Sequence, residues 1–191
     1  MLELIYPQGR APVIPPRLSP LDPGSEMFPI VDANGVVIAQ AERAYCHSGF
    51  KALHPVVHLH IYDRFNRIYL QKRSRKKDLY PGRWDTAIGG HVSYGESIME
   101  ALYREAAEEL GFTEFNPVYL DTYIYESQTE RELVSVFAAI GSFRLYPDRD
   151  ELEDGRYWSM DELERSIPLE VFTPNFVSEF ERIRHTLESL L

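Results

Sequence analysis

Gly90-His-Val-Ser-Tyr-Gly-Glu96-Ser-Ile-Met-Glu-Ala-Leu-Tyr-Arg104-Glu105-Ala-Ala-Glu108-Glu109-Leu-Gly111-Phe112 decides how this chain folds. Ser97 followed three residues later by Glu100 forms a capping box, so a helix is expected to begin near Ser97. Gly111 supplies the left-handed residue that commonly ends one. Ile98, Leu102, Ala106 and Leu110 recur at helical spacing and are expected to face a core. Glu105, Glu108 and Glu109 stand at i, i+3 and i+4, which puts their carboxylates on one face. Three carboxylates that close repel one another unless a cation sits among them. Hard divalent cations prefer such oxygen ligands, together with substrate phosphates. Arg104, four residues before Glu108, can orient that carboxylate. A solvated charged face is the ordinary fate of a glutamate run and is the alternative.

The spacing Gly90-x5-Glu96-x7-Arg104-Glu105-U-x-Glu108-Glu109-x-Gly111-U, with U an apolar residue, resembles the box of the Nudix hydrolase superfamily. Ala106 is a mild departure, since a larger aliphatic residue is usual there. The resemblance implies an α/β fold, a Nudix-type α/β/α sandwich with a mixed sheet and a loop-helix-loop catalytic motif. It also implies a hydrolase that cleaves a diphosphate bond with Mg²⁺ or Mn²⁺. Glu105, Glu108 and Glu109 would hold the metal, helped by the Gly89 backbone carbonyl, with Glu96 acting through water or holding the loop.

The rest of the composition sets bounds. With 191 residues, 44% of them hydrophobic and 26% charged, the chain suits one globular domain plus an extension. A net charge of -10 argues against nucleic-acid binding, which needs a basic surface. Cys46 is the only cysteine, so no intrachain disulfide can form and a reducing, cytoplasmic location is expected. No apolar run approaches a membrane span and no signal peptide is evident.

Residues 1–26 hold six prolines and read as an extended N-terminal arm packed on a neighbour or, in a homodimer, on another subunit, with a loosely ordered tail as the alternative; residues 27–191 read as a single domain. Strands are expected over 28–31 and 35–40 around an Asn34-Gly35 turn, then over 54–62, 67–73, 118–125 and 130–140. Shorter strands are expected over 143–146 and 156–158, and Gly89-Gly90 in a loop. Residues 41–50 read as an irregular or short helical link. Ser159 with Glu162 opens a short helix to about Arg165. Thr173-Pro174 caps a last helix whose stripe is Phe176, Phe180, Ile183, Leu187 and Leu190.

A second constellation is similar to the isopentenyl-diphosphate isomerase-like branch of that superfamily. It comprises Asn34-Gly35, His47, His54, the basic run from Lys72 to Lys77, residues 81–85, Gly90-His91, residues 95–97 and Glu130-Arg131-Glu132. This resemblance implies a second, transition-metal site on His47, His54, His91, Glu130 and Glu132, and diphosphate contacts from Arg73 and Lys77. Glu130 and Glu132 are two apart and so share a face of a strand. Ordinary surface histidines and a strand edge are the alternative. Two departures oppose isomerisation: the isomerases carry a catalytic cysteine where this chain has Gly89, and a basic residue where it has Glu105. His58 and His60 read as structural, Trp84 as core, and Tyr123 and Tyr125 as packing residues rather than pocket lining.

The expected activity is therefore hydrolysis of a small-molecule diphosphate, a nucleoside diphosphate joined to another moiety. Glu105 is the first candidate for the general base, and Glu132 or Glu130 the next. The alternatives are an isomerase-like protein acting on prenyl diphosphates and a non-catalytic module that binds a nucleotide or metabolite.

Overall fold

A computed structural model describes residues 1–14, 25–75, 80–148 and 152–190. Lys77 lies outside the described residues. The chain is mixed α/β with a mixed sheet. Strands β1 (Met27–Val31) and β2 (Val37–Glu42) pair antiparallel as a separate two-stranded sheet. Their turn is organised by Asp32, whose Oδ1 accepts the amides of Asn34 and Val36, while Gly35 takes φ +81°. Helix α1 (Arg43–Cys46) is the short helical link.

Among the described residues the larger sheet has seven strands. They are β3 (Leu53–Tyr62), β4 (Arg67–Arg73), β5 (Trp84–Asp85), β6 (Ile88–His91), β7 (Val118–Glu126), β8 (Arg131–Ile140) and β9 (Leu152–Ser159). The order runs β5-β4-β3-β8-β7, with β6 pairing β3 and β9 pairing β4. Strand β3 is buried along almost its whole length, so its alternation does not mark one wet face; it lies between two neighbours in the sheet.

Helix α2 (Ile98–Leu110) follows the quoted stretch closely. The Ser97 amide donates to Glu100 Oε2 at 2.8 Å, and the Glu100 amide to Ser97 Oγ at 3.2 Å, so the capping box closes both ways. At the other end Gly111 takes φ +57° and its amide bonds to the Ala107 carbonyl, the 5→1 bond of an αL end, while the Phe112 amide bonds to the Ala106 carbonyl. Ile98, Leu102, Ala106 and Leu110 are all buried.

Helices α3 (Met160–Ser166) and α4 (Pro174–Glu188) start at Ser159 and Thr173, each of which accepts a backbone amide. Glu162 turns to Arg156, at 2.8 Å, so only the Ser159 half of that box is recorded. Three expectations need correction. Gly89 and Gly90 lie in β6 rather than in a loop, because the edge of β3 is there to pair with them. Residues 143–146 form no strand: the amides of Tyr146 and Asp148 bond instead to the Leu110 and Glu109 carbonyls. Leu190 falls beyond α4 and is exposed.

The chain divides into two compact units. The first holds Met1–Val57, Gly90–Leu102 and Thr122–Ser135; the second holds His58–Gly89, Tyr103–Asp121 and Val136–Leu191. The core of the first has two apolar clusters, one around Val31, Val37, Leu53 and Leu133, the other around Phe28, Ile30, Ala41 and Cys46. In the second, Trp158, Phe172, Phe176 and Phe180 make a continuous series of ring contacts at 5.1 to 5.9 Å. Each such buried ring contributes about 1.5–3 kcal/mol through removal of apolar area from water. No helix among the described residues is long and apolar enough to cross a membrane.

Candidate active site and metal centre

In the second unit the box carboxylates sit along α2. Arg104 Nη1 lies 2.7 Å from Glu105 Oε1 and 3.1 Å from Glu108 Oε2, so one guanidinium orients two carboxylates. Glu109 is buried and accepts a 3.4 Å hydrogen bond from Gln71 Nε2 of β4. The donor set is all oxygen, which fits Mg²⁺ or Mn²⁺. Arg73 pairs with Asp85 at 3.0 Å, and Asp85 also accepts from the Thr173 hydroxyl. Any phosphate reaching Arg73 therefore competes with, or shares, that carboxylate.

Gly89 borders a polar cluster. A Cβ built there would stand 3.4 Å from His58 Cδ2 and 3.5 Å from its Nε2. His58 Nδ1 and His60 Nε2 each lie 2.7 Å from one oxygen of Glu179 on α4. Glu179 and His60 are fully enclosed. Burial pushes the Glu179 carboxyl up, but His58 and then His60 outweigh it and hold the group below the ordinary carboxylate range. Reading His58 and His60 as structural agrees with this arrangement.

The first unit gathers His47, His54 and His91, whose candidate ligand nitrogens all lie within 4.8 Å of one another. His54 Nδ1 is 2.9 Å from the Ala52 carbonyl, which can only accept, so Nδ1 carries the proton and Nε2 is bare. That Nε2 is buried without a hydrogen-bond partner. His47 Nδ1 faces Glu130 Oε2 at 3.2 Å, which leaves its Nε2 turned to His91 Nε2 at 3.0 Å. A carbonyl or carboxylate on one ring nitrogen with the other presented inward is the usual arrangement of metal-binding histidines. Burial, together with Arg43, lowers the His47 pKa; burial lowers that of His54 to about 4. Both rings are neutral near neutral pH, the form that binds metal. Glu132 Oε1 lies 3.9 Å from His91 Nε2. The donors fit a transition metal better than Mg²⁺.

Also in this unit, the Glu96 carboxylate accepts the Ser93 amide at 3.0 Å and thereby closes the turn before Ser97. Of the expected site residues, the structure brings Arg104, Glu105 and Glu108 together in the second unit, and the three histidines with Glu130 and Glu132 in the first. Several partners escaped the sequence reading. Phe28 stacks on His91 at 4.5 Å and on His54 at 5.6 Å, and Arg43 Nη1 donates to His91 Nδ1 at 3.4 Å. Glu179 had a readable signal, a carboxylate set into the apolar stripe of Phe176, Phe180 and Ile183; Gln71 and Phe28 had none.

The NUDIX domain profile matches residues 52–180. The chain belongs to the Nudix family. An isopentenyl-diphosphate Δ-isomerase of Clavibacter sepedonicus is 31% identical to this Nudix protein over 156 residues, 78% of this chain and 80% of the relative. A Streptomyces coelicolor protein named as an uncharacterized Nudix hydrolase is 30% identical over 162 residues, 83% of this chain and 88% of the relative. A crystal structure from Deinococcus radiodurans superposes with a TM-score of 0.72 at 20% identity, covering 83% of this Nudix chain and 99% of its own. Relatives of the Nudix chain thus carry both hydrolase and isomerase names.

Proposed function

We propose that this protein is a metal-dependent hydrolase that cleaves a diphosphate bond, its substrate a nucleoside diphosphate joined to another moiety. One observation carries the reading: Glu105, Glu108 and Glu109 of the box are all present on α2, while the position of the isomerase cysteine is Gly89. Cys46, the only thiol, is buried with its pKa pushed up to about 12, so it offers no thiolate.

Glu105, Glu108 and Glu109, with the Gly89 carbonyl, would hold Mg²⁺ or Mn²⁺. When bound, the cation neutralises phosphate oxygens and lowers the pKa of a coordinated water. Arg104 orients Glu105 and the exposed Glu108, and Gln71 bonds to Glu109. Glu105 is the half-buried carboxylate of the three and takes the proton from the attacking water. Arg73 offers a planar guanidinium to the substrate diphosphate. Glu96 is assigned to the turn that its carboxylate closes, and Glu132 to the histidine cluster, where a transition metal would be held by His47, His54 and His91. The protein acts on a small molecule, without nucleic acid or membrane.

The test is product release from a panel of nucleotide-sugars, dinucleotides and nucleoside triphosphates with Mg²⁺ or Mn²⁺. At least one substrate is cut, and Glu109→Gln lowers kcat by about 100-fold, the scale of losing one charge-stabilising group. If nothing is cut and Glu108→Gln alters binding alone, the protein is a binding module. The isomerase names among the relatives favour a second reading, tested with isopentenyl diphosphate. Gly89 offers no proton donor, so no dimethylallyl product forms.

A further inference from the structure

The N-terminal segment makes contacts that the proposed chemistry does not use. Its backbone is tied to β2 at two places. The Ile5 amide bonds to the Gly35 carbonyl at 2.9 Å and the Val37 amide to the Ile5 carbonyl at 2.8 Å. Further on, the Gln40 amide bonds to Pro12 and the Ile14 amide to Gln40, while the Gln40 side chain donates to the Ala11 carbonyl at 2.7 Å. Between these anchors two tyrosines link the segment to residues 93–97. Tyr6 Oη donates to the Glu96 carbonyl and accepts the Gly95 amide, both at 3.0 Å. Tyr94 Oη accepts the Ala11 amide at 2.8 Å in return. The two rings meet edge to face at 5.5 Å. A phenol has one proton to give and lone pairs to receive, so Tyr6 satisfies both backbone groups at once.

These groups belong to a tight turn. Gly95 takes φ +93°, and the turn is closed from inside by the Ser93 amide on the Glu96 carboxylate. Its next residue is Ser97, the cap of α2. Hydrogen bonds to Tyr6 and to the Glu96 carboxylate therefore hold the turn that leads into Ser97, whose capping box starts the helix bearing the box carboxylates.

We infer that residues 1–14 are a strap that holds the 93–97 turn in its working conformation, with Tyr6 as its positioning residue. The functional half of this inference rests on the hydrolase reading; the structural half does not. Tyr6 touches no reacting group and acts through the backbone of Gly95 and Glu96. Tyr6→Phe keeps the ring and removes both hydrogen bonds.

The experiment is amide hydrogen exchange on the full, metal-free chain, paired with Mn²⁺ titration of activity. In Tyr6→Phe the Gly95 amide exchanges about tenfold faster, the scale of one or two lost hydrogen bonds, while the Val37 amide keeps its protection because the strap stays docked. Tyr94→Phe gives the same pattern at Ala11. With a substrate from the panel, Tyr6→Phe raises the Mn²⁺ concentration for half-maximal rate several-fold and leaves KM at saturating Mn²⁺ unchanged. Wild-type exchange at Gly95, or equal loss of protection at Val37, overturns the strap. Faster exchange at Gly95 with an unchanged Mn²⁺ midpoint overturns the positioning role. If the wild type cuts no substrate, the hydrolase reading falls, and exchange at Gly95 still decides the strap.

Discussion

His54 and His58 stand four residues apart on β3 and meet opposite fates. His58, with His60, is claimed by Glu179, which supplies one oxygen to each ring. His54 keeps a buried Nε2 with no partner and gathers with two other histidines instead. The difference is the placement of negative charge. A carboxylate between two rings makes a finished structural cluster. Three rings gathered round one bare, buried nitrogen, His54 Nε2, make an unfinished one that a cation completes. Histidine on a buried strand is therefore not evidence of a ligand; the second ring nitrogen decides.

The sharpest way to break this comparison is Glu179→Gln. It leaves the enclosed His60 and its neighbour His58 without their counter-charge, a loss of about 3–5 kcal/mol in denaturant unfolding. A change under about 1 kcal/mol would show that Glu179 is not the centre of a structural cluster.

The next test uses pH on chelated protein. Above pH 6.5, the reference value for His54, folded and unfolded chains both hold its ring neutral. Below it the unfolded chain takes up a proton that the folded ring, with its pKa near 4, refuses, so stability falls as pH drops across that window. A shift of that size corresponds to about 3 kcal/mol. His47 adds to the loss with the same sign. The Glu179 contribution is present above the reference value of 4.5 and is lost only as pH falls below it, so the two clusters fail in successive windows. His54→Leu flattens the upper window in urea melts at stepped pH; an unchanged slope refutes the assignment.

The smallest effect is metal binding. At 100 times its Kd, Mn²⁺ or Zn²⁺ stabilises the chain by about 2.7 kcal/mol. His54→Leu abolishes the gain in melting temperature. Glu179→Gln, although less stable, retains it. A gain that survives His54→Leu places the ion elsewhere.

Much of this could be read along the chain. Helix α2, both of its caps, its buried stripe and the Arg104 contact to Glu108 follow from spacings of three and four residues, which a helix converts directly into neighbours. The strand over 143–146 was misjudged because β-rich composition does not say which carbonyls are within reach. The histidine set was found through a family resemblance rather than through its spacing, since 47, 54 and 91 share no local period.

By itself the sequence determined the box helix, the carboxylates it carries and the absence of a thiol at residue 89. Only tertiary structure decided which histidines are satisfied and which are bare. The bonds from His58 and His60 to Glu179 span 121 and 119 residues, and Tyr6 reaches Gly95 across 89. No periodicity encodes contacts of that separation; they arise when strands and helices pack and every buried polar group must find a partner or await one.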